Sequence, residues 1–89
     1  MSTTDISIFK TNVDWLHDTL LKAFPGAYVK VEDFKGDDQH LHAHIVTELF
    51  QNIALLDRHK QVYKILEGHI GHRIHALSLN TQTQKEASL

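Results

Sequence analysis

The stretch His40-Leu41-His42-Ala43-His44-Ile45-Val46 indicates the fold of this chain most directly. Apolar and polar residues alternate along it, which is typical of a β-strand with one face in a core. Leu41, Ala43 and Ile45 then share the buried face, and three histidines share the opposite face. We therefore expect a sheet that helices cover on one side only.

Two further segments have the composition of strands. Residues 27–32 alternate in the same way, and a polar turn over residues 35–39 joins them to the histidine-bearing strand. Residues 74–79 form a third apolar run after a glycine-containing loop. The sequence thus predicts a sheet of three strands.

Helices are predicted before the first strand and between the second and third. The first has an apolar stripe at helical spacing and stops at Pro25-Gly26. Asp5 or Asn12 could cap its start, and Trp15 lies off the stripe, so we expect it to be half exposed. The stripe consists of Phe9, Val13, Leu16, Leu20 and Phe24. A second helix is predicted over residues 55–66, with a short turn near Asn52 before it.

This order of elements predicts an α+β fold, a two-layer α-β-β-α-α-β sandwich with a three-stranded mixed sheet. Residues 1–83 form a single domain in this interpretation. Residues 84–89 form a polar C-terminal tail, either a short frayed helix or disordered.

The composition and the motifs weigh against several classes of function. Nine Lys and Arg residues against eleven Asp and Glu residues give a net charge of −2, without the basic surface that nucleic-acid binding usually needs. The sequence contains no secretory signal and no apolar run of membrane-spanning length, so we expect a cytoplasmic protein. Asp37-Asp38 is interpreted as part of a turn, and no catalytic motif is evident, which predicts a protein that is not an enzyme.

Eight histidines and no cysteine make imidazole the natural metal ligand of this chain. His40 and His42 have the H-x-H spacing of a chelating pair, and a solvated polar strand face explains the same pattern. His40, next to the flexible turn, is the best candidate of the strand histidines. His75 lies where a loop gives way to the third strand, so its ring can reach outward from a rigid support. An independent zinc or nickel site on the histidine face stays open.

Two other motifs have structural interpretations. Arg58 can pair with a carboxylate or with helix carbonyls, and His59 can hydrogen-bond across to a loop. Gly68-His69-Ile70-Gly71 matches the G-x-x-G of KH domains, but it leads into a strand here and carries no basic pair.

Three segments together resemble the BolA-like family. They are Leu49-Phe50, Leu56-x-Arg58-His59-x-x-Val62-Tyr63-x-x-Leu66, and Arg73-Ile74-His75-Ala76-Leu77 through Thr81-x-Thr83. The resemblance covers roughly residues 12 to 83, and it is the joint pattern that is specific. Gln84 stands where many members have proline.

The resemblance implies a fold related to the KH domain and a partnership with a monothiol glutaredoxin. In that family the two proteins share a 2Fe-2S cluster, to which glutaredoxin and glutathione supply thiolates. The motif histidine corresponds to His75. A second ligand, Cys or His, comes from the turn between the first two strands, which here gives His40, with His42 as its competitor. No cofactor is expected in the isolated chain.

The leading hypothesis is therefore an adaptor in iron–sulfur cluster trafficking or iron sensing. The expected glutaredoxin interface comprises an exposed sheet edge and the loops carrying His40 and His75. A KH-like DNA-binding transcriptional regulator is the alternative, with weak DNA binding. The sequence leaves open whether the chain alone is a monomer or a homodimer.

Overall fold

The computed structural model describes residues 11–88 and confirms the predicted order of elements. A single 3₁₀ turn takes the place of the first of the two middle helices. The elements are α1 (Asn12–Ala23), β1 (Tyr28–Asp33), β2 (His40–Val46), the 3₁₀ turn (Glu48–Phe50), α2 (Leu55–Ile65), β3 (Ala76–Gln82) and α3 (Gln84–Ala87).

The three strands form a mixed sheet in the order β1-β2-β3. β1 pairs with β2 in antiparallel orientation, with Tyr28 opposite Val46. β2 pairs with β3 in parallel orientation, with His40 opposite Ala76. The predicted mixed three-stranded sheet is therefore confirmed, and the histidine-bearing strand is its central member.

One face of the sheet is covered by the helices and forms the core. Leu16 and Leu20 of α1, Val62 of α2 and Leu41 and Ile45 of β2 are fully buried in one cluster. Burying side chains of this size contributes about 1.5–3 kcal/mol each. The opposite face, called the open face below, carries the three histidines of β2, which are half-buried.

The start of α1 and the position of Trp15 differ from the sequence prediction. Thr11 is the N-cap, since its hydroxyl accepts the N–H of Asp14; Asp5 lies outside the described residues. Trp15 is only 4% exposed, so the prediction of a half-exposed ring is wrong. The cause is distant in sequence: the guanidinium of Arg73 lies 4.9 Å from the Trp15 ring, and the His69 ring packs on it at 4.8 Å.

The bounds of two strands also differ, and β3 continues to Gln82, beyond its predicted end at residue 79. β1 begins at Tyr28 and continues to Asp33, one residue later at each end than predicted. β3 begins at Ala76, because the preceding residues form a tight turn in which Gly71 N–H donates to the Ile74 carbonyl. Ile74 joins the core from this turn rather than from the strand.

Arg58 joins α2 to the far end of β3 and is 7% exposed. Its guanidinium donates to the carbonyls of Ile53 and Thr81 and to the Glu86 carboxylate, at 2.8, 3.1 and 2.7 Å. It therefore makes the carboxylate contact expected from the sequence, whereas the carbonyls that it binds belong to a loop and a strand rather than to a helix. Nearby, Tyr63 Oη donates to the Leu77 carbonyl at 2.7 Å.

Within residues 11–88, His59 does not make the hydrogen bond to a loop that the sequence suggested. Its Nε2 is buried and has no hydrogen-bond partner among the described residues. Adjacent residues of one motif thus have different roles, because consecutive positions on a helix point about 100° apart.

The polar C-terminal segment is helical at residues 84–87. Thr83 caps α3 through a capping box in which its hydroxyl accepts the Glu86 N–H and the Glu86 carboxylate accepts the Thr83 N–H. The same carboxylate pairs with Arg58, so the cap also fixes the short helix to the domain.

Within residues 11–88, no helix has the length and apolar character needed to cross a membrane.

The Glu86–Arg58 contact predicts a specific dependence of stability on pH. Arg58, together with the Thr83 N–H, lowers the pKa of Glu86 from 4.5 to about 2. The ionised carboxylate therefore adds stability above pH 4.5, and this contribution disappears as the pH falls from 4.5 towards 2. In urea unfolding, wild type should exceed Glu86→Gln in stability at neutral pH, and the two should converge over this acid range. Glu67→Gln, at an exposed position, is the matched control, and a Glu86→Gln difference that stays constant with pH would contradict the assignment.

Candidate functional site

Two of the predicted metal ligands, His40 and His75, lie together at one corner of the molecule. His40 is the first residue of β2, and His75 immediately precedes β3. Their ring centroids are 5.0 Å apart, with an angle of 52° between the ring planes. The parallel register brings them together, because it aligns the starts of the two strands.

The backbone fixes this approach. The carbonyl of Gln39 accepts the N–H groups of His75 and Ala76, at 2.9 and 3.1 Å. Gln39, which immediately precedes His40, is thus hydrogen-bonded to the backbone of His75. The two rings are attached to a common support rather than to independent loops.

The turn that carries His40 is organised by Asp33. Its carboxylate accepts the backbone N–H groups of Gly36, Asp37 and Asp38, at 2.8, 3.2 and 2.8 Å. The chain reverses through left-handed backbone conformations at Gly36 (φ 74°) and Asp38 (φ 58°). Glycine and aspartate tolerate this region better than most residues.

Asn12 connects the same corner to α1. The Asp38 carboxylate accepts the N–H groups of Asn12 and Val13, where a negative charge is favourable beside the positive end of the helix dipole. In return, Asn12 Nδ2 donates to the carbonyls of Asp38 and Arg73, at 2.9 and 3.0 Å. One side chain therefore fixes both segments that lead into the histidine pair.

Asp37 contacts His40 directly, a role that the sequence analysis missed. Its Oδ2 lies 2.7 Å from His40 Nδ1, and its Oδ1 accepts the N–H groups of Gln39 and His40. These hydrogen bonds lower the pKa of Asp37 from 3.8 to about 2, and the bond from the Gln39 N–H has the largest effect. The available signal was the spacing Asp-x-x-His within a tight turn, which the interpretation of Asp37-Asp38 as a plain turn overlooked.

The other two strand histidines are engaged elsewhere on the open face. His42 Nδ1 lies 2.7 Å from the Ser78 hydroxyl, and His44 Nε2 lies 2.7 Å from Gln82 Oε1. The Tyr28 ring packs edge-on against His44 at 5.8 Å. His42 thus has a partner on β3, whereas His40 is the strand histidine in ring contact with His75.

An exposed aromatic ring borders the histidine pair. Phe34 follows β1, is 59% exposed, and packs edge-on against His40 at a centroid distance of 6.4 Å. A large apolar side chain is thus exposed to solvent directly beside the His40 imidazole.

The Gly68–Gly71 loop does not have the setting of a nucleic-acid-binding G-x-x-G loop. It follows α2 and leads to β3, and its His69 carbonyl accepts the N–H groups of His72, Arg73 and Ile74. It closes a compact turn whose His69 ring packs on Trp15, whereas in KH domains the loop joins two helices.

Across residues 11–88, no group of three or more His, Asp or Glu side chains is arranged to hold a metal ion. The corner nevertheless presents two imidazoles, one of them with a carboxylate behind it. Such an arrangement can supply two nitrogen ligands to a metal whose other ligands come from another molecule.

Comparisons with known proteins agree with this fold. The profile of a family described as BolA-like protein matches residues 17–86. The structure of BolA1 from Arabidopsis thaliana superimposes with a TM-score of 0.77 at 26% identity, over 88% of this chain and 98% of that one. A BolA protein homologue from Coxiella burnetii gives a TM-score of 0.65 at 31% identity, over the whole of both chains.

Two relatives match parts of this chain in sequence. An uncharacterised protein of Rickettsia prowazekii, RP812, is 30% identical over 66 residues, which is 74% of this chain and 86% of the relative. The DNA-binding transcriptional regulator BolA of Haemophilus influenzae is 36% identical over 52 residues, or 58% of this chain and 50% of the relative. The match thus spans half the length of that regulator.

The Asn12 contacts predict that one substitution changes both the stability of the domain and the contact between the His40 and His75 rings. Asn12→Ala removes two hydrogen bonds to carbonyls, which should lower the free energy of unfolding by about 1–2 kcal/mol. It should also weaken the nuclear Overhauser contacts between the rings of His40 and His75. Asn80→Ala, an exposed position on β3, is the control and should change neither quantity. Unchanged ring contacts in Asn12→Ala would show that Asn12 does not hold the corner together.

Proposed function

This chain belongs to the BolA-like protein family, and from that membership we propose that it is a non-enzymatic cytoplasmic adaptor that binds a monothiol glutaredoxin. The two proteins share a 2Fe-2S cluster, in iron–sulfur cluster trafficking or iron sensing. The observation that carries the proposal is the contact between the half-buried His40 and the exposed His75.

The separation of the two rings fits a shared metal. Two imidazoles bound to one ion at about 2.0–2.1 Å, in a tetrahedral arrangement, have centroids roughly 5 Å apart. The observed distance is 5.0 Å. The spacing of the two rings is therefore compatible with one iron bound by both.

The chain supplies half of a cluster's ligands and none of its sulfur. Because it contains no cysteine, thiolates have to come from the partner glutaredoxin and from glutathione. Substitution of imidazole for thiolate raises the reduction potential of a 2Fe-2S centre. The role of this chain's residues is to hold two neutral imidazoles at a fixed distance on an accessible surface.

DNA binding is the second candidate function. It is favoured by two relatives that are named as DNA-binding transcriptional regulators, the BolA proteins of Haemophilus influenzae and Escherichia coli. The net charge of −2 and the setting of the Gly68–Gly71 loop weigh against it. A tight, strongly salt-dependent shift of duplex DNA near neutral pH would favour this second function.

An independent zinc or nickel site on the open face is the weakest candidate. His42 and His44 already hydrogen-bond to Ser78 and Gln82 through one ring nitrogen each. Metal analysis of protein purified without an affinity tag tests this candidate directly, since stoichiometric zinc or nickel in the isolated chain would support it.

The ligand assignment predicts the spectra of the reconstituted complex. With a monothiol glutaredoxin, glutathione, iron and sulfide, His75→Ala and His40→Ala should each alter or abolish the visible circular dichroism of the cluster, because each removes an iron ligand. His42→Ala, on the same strand face, is the matched control and should keep the wild-type spectrum. A wild-type spectrum from His75→Ala would remove His75 from the ligand set, and sensitivity to His42→Ala alone would move the second ligand from His40 to His42.

Partner binding at this corner predicts a role for Phe34. A protein that approaches both rings also covers Phe34, so Phe34→Ala should weaken glutaredoxin binding about tenfold by calorimetry. Since this ring is largely exposed, stability should change little. Tyr28→Ala is the control, because Tyr28 is 54% exposed at the opposite end of β1. Equal losses of affinity in the two variants would place the interface elsewhere.

A further inference from the structure

We propose that Asp37 is a positioning residue that holds His40 as the Nδ1–H tautomer and thereby leaves the Nε2 lone pair for the incoming iron. The inference rests on the proposed function for the identity of the metal. The tautomer itself follows from contacts within the chain.

The contact between His40 and Asp37 determines which ring nitrogen of His40 carries the proton. His40 Nδ1 and Asp37 Oδ2 are 2.7 Å apart, within hydrogen-bond distance. An aspartate at neutral pH is ionised and can only accept, so the shared hydrogen is on the ring nitrogen. A neutral imidazole with its proton on Nδ1 has its lone pair on Nε2.

Hydrogen bonds to the backbone keep the Asp37 carboxylate in place when the His40 ring rotates. Its other oxygen, Oδ1, accepts the N–H groups of Gln39 and His40, at 2.9 and 3.1 Å. The N–H of Asp37 is itself bonded to the Asp33 carboxylate. The carboxylate is therefore anchored to the backbone on one side while it holds the imidazole on the other.

Carboxylates behind metal-bound histidines have a general effect. They fix the tautomer and orientation of the ring and raise its basicity as a ligand, and their loss typically costs 10- to 100-fold in metal affinity. In a site with only two ligands from this chain, the orientation of each matters more. Asp37 would thus fix the tautomer and orientation of the His40 ring before the partner protein binds.

The tautomer can be measured on the isolated chain. Long-range ¹H–¹⁵N correlation spectra at about pH 8, where an unperturbed imidazole is neutral, distinguish the two forms. Wild-type His40 should be mainly Nδ1–H. A mainly Nε2–H ring in the wild type would overturn the inference without any variant.

Asp37→Asn is the main variant. The asparagine carbonyl can still accept the two backbone N–H groups, while its amide nitrogen donates to the ring and favours the Nε2–H form. His40 should therefore switch tautomer, and His42 and His44 in the same spectrum should not. Asp37→Glu keeps a carboxylate and should restore the Nδ1–H form. Asp57→Asn, in the first turn of α2, is the control for loss of one charge, and an unswitched His40 in Asp37→Asn would refute the inference.

The same variants then report on the shared cluster. In the glutaredoxin complex, Asp37→Asn should lower resistance of the cluster to a competing chelator about 10- to 100-fold, and Asp37→Glu should recover most of it. A switched tautomer with undiminished cluster resistance would overturn the role of Asp37 towards iron. Failure of the proposed function gives a different result. His40→Ala and His75→Ala would then leave the visible circular dichroism of the cluster unchanged, whichever tautomer His40 adopts.

Discussion

The parallel pairing of β2 with β3 is the constraint from which the rest of the molecule follows. It sets His40 opposite Ala76 and so brings two distant parts of the chain to the same end of the sheet. The register itself is fixed by burial, because Leu41 and Ile45 are fully buried on the helix-covered face. A slip of one residue would exchange these side chains with the histidines. The hydrophobic core thus determines where the candidate ligands lie.

Much of this arrangement could be predicted from local patterns. Alternation along β2 separated the buried Leu41, Ala43 and Ile45 from the three histidines, and helical periodicity placed α2 and most of α1. The remaining features depend on contacts between distant residues. Trp15 is buried because Arg73 and His69 pack on it, and no pattern in α1 indicates this. The later start of β3 follows from the bond between Gly71 and Ile74.

The candidate site was predictable to the same extent. The two histidines could be named from their strand positions and from the family resemblance. The carboxylate behind His40 could not, because its role depends on a turn whose shape is set by Asp33, Gly36 and Asp38. The bonds from Asn12 to Asp38 and Arg73 are likewise visible only in three dimensions. Periodicity identifies faces, whereas hydrogen-bonded turns determine which side chains on a face meet.

The contacts of α2 with β3 bear on how the domain avoids self-association. β3 is an edge strand, and exposed edges are templates on which other chains add strands and aggregate. Two of its carbonyls, those of Leu77 and Thr81, are already occupied by Tyr63 and Arg58. An extended segment from another molecule that paired with β3 would have to displace the Tyr63 hydroxyl and the buried Arg58 guanidinium from these two carbonyls. The domain can therefore expose a polar sheet face and the His40–His75 corner with this edge protected against uncontrolled β-sheet growth.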